Sequence, residues 1–329
     1  MKSPLLAVLA CSLGAGAVLD APPPPVDIKE WPVPWERTRP RDPYVAPDGR
    51  IWFVGQTGDY LAYLVPASGE FKRYELDRGT GPHNLIVDRQ GMVWYAGNRA
   101  AHIGKLDPRD GTITKYPMPD PAARDPHTLV FDSQGDIWFT MQGANRVGKL
   151  TVATGAVRII QVPTPRARPY GIEVDSNDRP WIVLVGTNKI ATVDPATMQL
   201  REIELPRAGT RPRRVAITSD DNIWYVDYAE GYVGRYDPAS GKVDEWRAPS
   251  AAQSRPYAMA SDDRDRIWFV ETGPEPNTLV GFDPKTAQFF SETAVPSGAG
   301  TVRHMVFHAP SRAIWFGTDA NSIGRALVP

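Results

Sequence analysis

Short apolar runs alternate with polar turns along the chain, and seven of those runs carry a tryptophan: Trp52, Trp94, Trp138, Trp181, Trp224, Trp268 and Trp315. In runs such as DIWFT and NIWYV the aromatic and β-branched residues suit a pleated strand. A shorter apolar run precedes each of them across a turn containing Asp and Gly, as with NLIVD at 84–88 and TLVFD at 128–132. A third run (NRVGKL, NKIATV or YVGRY) and a fourth, reached through a turn containing Pro and often Gly, complete the unit. No stretch holds a helical period, so the pattern predicts an all-β chain.

The tryptophans lie 42, 44, 43, 43, 44 and 47 residues apart. A period of about 40–45 residues is that of propeller blades, and the predicted fold is a seven-bladed β-propeller over residues 27–329. The fourth runs stop at proline, as in TITKYPMP (112–119), LREIELP (200–206) and KVDEWRAP (242–249), which suits an outer strand at a sheet edge. The last unit has no such run after SIGRALVP, whereas DIKEWPVP at 27–34 matches the type. An N-terminal strand is therefore expected to close the last blade, joining the two ends of the chain and removing open edges. The tryptophans are read as packing in the widening gaps between blades.

Net charge is −1 across the 329 residues, so no general basic field draws nucleic acid. Residues 1–17 read as a secretory signal with cleavage after Ala17. Cys11, the only cysteine, sits in that leader in a context similar to a lipoprotein signal, so the protein is expected to be exported, either periplasmic or secreted, or lipid-anchored at Cys11. Membrane association is expected only in the lipidated case. Residues 18–26, with their run of prolines, read as an extended linker. A monomer is expected.

Eleven residues before each tryptophan stand Arg41, His83, His127, Tyr170, Arg213, Tyr257 and His304, a column expected to form a polar rim at one mouth of the central channel. Two positions earlier the chain adds Arg39, Arg168, Arg211 and Arg255, and Arg303 precedes His304. Arginine forks match planar anions, so the rim points to a small-molecule or peptide-like ligand bearing carboxylate, phosphate, sulfate or carbonyl groups. The alternative is that these arginines pair with nearby acids. Three positions past the tryptophans, acids occur only late: Asp227, Glu271 and, one further on, Asp319. They are read either as holders of a hard cation such as magnesium or as ion-pair partners of Arg213 and Arg255. His83, His127 and His304 are too dispersed among the blades to favour a zinc site.

The segments PHTLVFDSQGDIWFT, RIWFVE and NSIGRA together resemble the repeats of the streptogramin B (virginiamycin B) lyases, and the resemblance spans all seven units. It implies a carbon–oxygen lyase that opens a cyclic depsipeptide ester by elimination, with magnesium assistance. It implies a general base at His304, a substrate contact replaced by Tyr257, Val302 where the family has one metal-binding acid and either Thr318 or Asp319 where it has another, leaving Glu271 and Asp319 as the metal candidates. Arg41, His83, His127, Tyr170, Arg213, Arg255 and Arg303 are the expected substrate-binding residues. Two readings stand: an exported lyase, or a non-catalytic exported propeller that binds an anionic or peptide-like ligand on the same rim.

Overall fold

The computed structural model describes residues 25–329, so the predicted leader, Cys11 and most of the proline-rich stretch lie outside the described residues. Twenty-eight strands form seven four-stranded antiparallel sheets. Blade one shows the plan: Pro40–Val45 innermost, then Ile51–Gly55, Tyr60–Val65 and Glu70–Glu75 at the outer edge. The outer strands carry alternating exposed and half-buried residues, whereas the tryptophan strands are buried throughout. Among the described residues, the only helical turns are Ala251–Gln253 and Ala309–Ser311.

Blade seven closes as expected. Asp27–Pro32 pairs antiparallel with Ser322–Leu327, from Asp27 opposite Leu327 to Pro32 opposite Ser322. Glu30 adds a polar clasp: one carboxylate oxygen accepts from the Ser322 hydroxyl at 2.5 Å, and the other from the Ser297 backbone at 2.8 Å. The propeller begins one residue before the expected boundary, because Val26, read as linker, is already packed among Val295, Val328 and Ala326.

Every repeated tryptophan is at most 4% exposed. Trp52 packs with Leu85, Val87 and Tyr95 of the next blade, and Trp94 with Leu129, Ile137 and Phe139 of the one after. Burial of such a ring stabilises each seam by a few kcal/mol. The Asp of the preceding turn has a second use, accepting the indole N–H at 2.9 Å from Trp94, Trp181 and Trp268. Blade three departs from this because Asp132 pairs instead with Lys149 at 2.8 Å, and Trp138 Nε1 has no partner.

Candidate functional site

Each inner strand starts with a residue paired to the position three past the tryptophan, as Pro82 is opposite Gly97 and Pro126 opposite Met141. A bulge follows, and pairing resumes at Leu85 opposite Tyr95 and Leu129 opposite Phe139. Two consecutive residues thus sit inside the bulge. In blade seven Val302 is opposite Thr318 and pairing resumes at Met305 opposite Phe316, so the bulge pair there is Arg303 and His304. Arg303, not His304, is therefore the seventh member of the rim that contains His83. Counting back from Trp315 stops one residue short, because the Ala309–Ser311 turn lengthens this hairpin. His304 belongs to the tier below, with Asp42, Asn84, Thr128 and Arg214.

The rim is a packed layer. The His83 and His127 rings lie 3.6 Å apart between centroids, and Tyr170 follows at 4.2 Å from His127. His83 Nδ1 bonds the His127 carbonyl at 3.1 Å and His127 Nδ1 the Thr128 hydroxyl at 2.8 Å. The Tyr170 and Tyr257 hydroxyls are hydrogen-bonded to each other across the channel. Arg213 lies over Tyr257 at 3.9 Å and over Tyr228 at 4.2 Å, and Arg303 over Tyr257 at 5.8 Å. Arg41 is buried and Arg255 exposed, while Arg213 and Arg303 are half-buried at the surface of the layer.

Below the rim lies a charge network that the sequence columns did not single out. Asp42 is fully buried, with a left-handed φ of 49°. It accepts from Arg41 Nε at 2.9 Å and Asn84 Nδ2 at 3.1 Å, and lies 3.6 Å from Arg214. Burial alone would raise its pKa, but Arg41, His304 and Arg214 outweigh that and hold it far below the carboxylate range. Arg214 spans the channel, donating to the Arg303 carbonyl at 2.9 Å and the Thr128 hydroxyl at 3.2 Å. The signal was present in the sequence as Asp42, Asn84, Thr128 and Arg214, one position past the rim column.

Protonation states follow from this geometry. Burial pushes His304 down to about 4, only partly offset by Asp42, so its ring is neutral at pH 7 with Nδ1 unpartnered. Burial first, then nearby arginines, also lowers His83 and His127. Tyr257 behaves oppositely to an ordinary buried phenol. Burial would raise its pKa, but the charges of Arg213, Arg41 and Arg214 overcome that and pull it below the usual phenol range, while its partner Tyr170 is raised.

The donors expected for magnesium do not fit that ion. Both Glu271 oxygens are used by Ser250, accepting from its backbone at 2.9 Å and its hydroxyl at 2.5 Å. Asp319 pairs with Arg303 at 2.5 Å and Arg39 at 3.7 Å. Asp227 pairs with Arg207 at 2.7 Å rather than with Arg213. No three His, Cys, Asp or Glu side chains converge as a metal set among the described residues. The late acids thus act in ion pairs and turn caps, as the plainer reading of the column had it, though with other partners than Arg213 and Arg255.

Comparison with known proteins agrees with the architecture. The model of the virginiamycin B lyase family matches residues 26–326. A streptogramin B lyase structure is 25% identical, with a TM-score of 0.82, covering 91% of this chain and 97% of that one. Selenomethionine-substituted virginiamycin B lyase from Staphylococcus aureus is 23% identical at a TM-score of 0.83, covering 92% and 99%. The same values hold for a catalytically inactive variant of that lyase solved with quinupristin. No curated protein matches the sequence.

Proposed function

The chain belongs to the virginiamycin B lyase family, and from that premise we propose that it is a carbon–oxygen lyase opening an ester in a peptide-like substrate by elimination, with Tyr257 as the proton acceptor. The observation that carries this reading is the Tyr257 hydroxyl, hydrogen-bonded to Tyr170 and set among arginines whose charges favour its ionised form. A base tuned toward the working pH is the useful one. Arg213 covers the Tyr257 ring, so a substrate carbonyl or carboxylate that engages Arg213 is held at the rim beside the hydroxyl.

In the proposed step the Tyr257 phenolate takes the proton from the carbon next to a carbonyl. That electron pair forms a carbon–carbon double bond as the β carbon–oxygen bond breaks, and the acyl oxygen leaves as a carboxylate. Water is not consumed, so a cyclic ester opens to a linear product of unchanged mass. Arg213 and Arg303 stabilise the charge that develops on the carbonyl and the departing carboxylate. A tier lower, Arg214 ties the layer to the network around Asp42 through the Arg303 carbonyl.

The test is incubation of a streptogramin B depsipeptide with the purified protein, followed by chromatography and mass spectrometry. A linear isomer should form, persist with EDTA, and fall at least about a hundredfold in Tyr257→Phe, the lower bound usual for an acid–base group. An isomer retained in Tyr257→Phe but lost in His304→Ala would move the base to the lower tier. No isomer from folded protein would overturn the lyase reading and leave the rim as a ligand-binding surface.

A further inference from the structure

The channel has a second mouth. A cavity of about 370 Å³ opens below the charge network, with His304 and Asn84 at its inner end. Its wall includes the inner-strand residues that stand opposite each blade's tryptophan: Tyr44, Ile86, Val130, Ala216, Ala260 and Val306, with Glu173 in blade four. Glu173 is the sole acid or base of that ring. Further apolar walls come from Met259, Met305 and Phe307.

Glu173 has no ion-pair or hydrogen-bond partner among the described residues, although carboxylates elsewhere in the channel do. Asp42, for comparison, has three. The two blades that follow Glu173 carry alanine at this level, Ala216 and Ala260, where others carry Ile, Val or Tyr, so the room lies beside the carboxyl. An ionised carboxylate in such surroundings is poorly solvated and gains from a cation brought to it. Aromatic faces also favour a cation over an anion, and Tyr44 and Phe307 line the same space.

We propose that this lower mouth is a binding site for a small organic cation with an apolar body, its ammonium seated on Glu173 and its body against the alanine side of the wall. The site is independent of the rim and of the elimination proposed there. Isothermal titration of the purified protein at pH 8 with 2-phenylethylammonium, 2-phenylethanol and phenylacetate reads the charge preference directly. The ammonium should bind saturably and at least about tenfold more tightly than the alcohol or the acid, a ratio equal to about 1.4 kcal/mol. Glu173→Gln should lose that preference, and Ala260→Leu should abolish binding by filling the space while keeping the carboxylate. Circular dichroism confirms that each variant is folded; if one variant fails to fold, the other still decides. Absence of saturable ammonium binding by the unaltered protein, or equal binding by folded Glu173→Gln, would overturn the assignment.

Discussion

The seams between blades and the channel they surround are built on opposite plans. A seam repeats one solution seven times, a buried tryptophan against the apolar strands of its neighbour, and differences between blades are minor. In the channel adjacent blades of the rim tier present different side chains, except for the stacked histidines of blades two and three and the arginines, Arg303 and Arg41, of blades seven and one. Repetition carries stability here, and departure from repetition carries chemistry. The two plans predict different signs as well as sizes when residues are changed.

The largest effect should come from the one seam whose strand is borrowed from the other end of the chain. Removing residues 27–34 exposes the edge of Ser322–Leu327 and deletes Trp31, uncovering Trp315, on which Trp31 stacks at 5.6 Å between ring centroids. We expect the melting transition to be lost or lowered by more than about 10 °C, well beyond the 2–4 °C per kcal/mol usual at this size. Removing 18–25 should leave it nearly unchanged, and calorimetry of the two truncations compares them. Equal transitions would make the closing strand dispensable.

In the channel the largest loss should follow Asp42→Asn, which leaves the buried Arg41 and Arg214 without their shared counter-charge. Breaking a buried pair in this way costs about 3–5 kcal/mol, to be read from denaturant unfolding. A loss under about 1 kcal/mol would show that channel water already solvates both arginines.

Glu173→Gln should change stability in the other direction. Burial raises Glu173 to about 7, with Arg214 opposing. The groups around it are Tyr44 from blade one, Arg214 from blade five and His304 from blade seven. Its folded pKa lies above the unfolded one, so the folded state keeps a proton that the unfolded chain releases, and stability is lost as pH rises from about 4.5 through 7. The glutamine variant should therefore match the unaltered protein at pH 4.5 and exceed it at pH 8 by about 1–2 kcal/mol, the full linkage being reduced by water in the channel. Unfolding at both pH values checks the sign.

The seams were legible in the sequence because they obey a period. Seven tryptophans at similar spacing gave the blade count, the strand order and the closing strand, since each must fill the same gap. The channel was legible only while the count from tryptophan held. That count failed in blade seven, where Ala309–Ser311 adds a residue to the hairpin, and it assigned to His304 the place that Arg303 occupies. The buried network was missed because alternation predicts one inward residue in two, whereas a bulge admits two in succession. Asp42 and Arg214 follow rim residues and read as outward-facing until the bulge is seen. Glu271 and Asp319 follow the count from tryptophan, but their partners, Ser250 and Arg303, depend on loops whose course no repeat dictates.

The closing strand also sets an order of events. Nearly every strand pair in the molecule joins neighbours along the chain, so blades can form as soon as they are synthesised and dock on the one before. The pairing of Asp27 with Leu327 is the exception: the earliest strand of the propeller must wait for the last. The loop entropy of that step grows only slowly with length, yet the step cannot begin until the final blade exists. The ring should therefore assemble as an open arc, with Trp31 uncovered, and lock late in a single event. During that interval the open arc has two unsatisfied edges, and agents that bind exposed strands would act on the protein then rather than after it has closed.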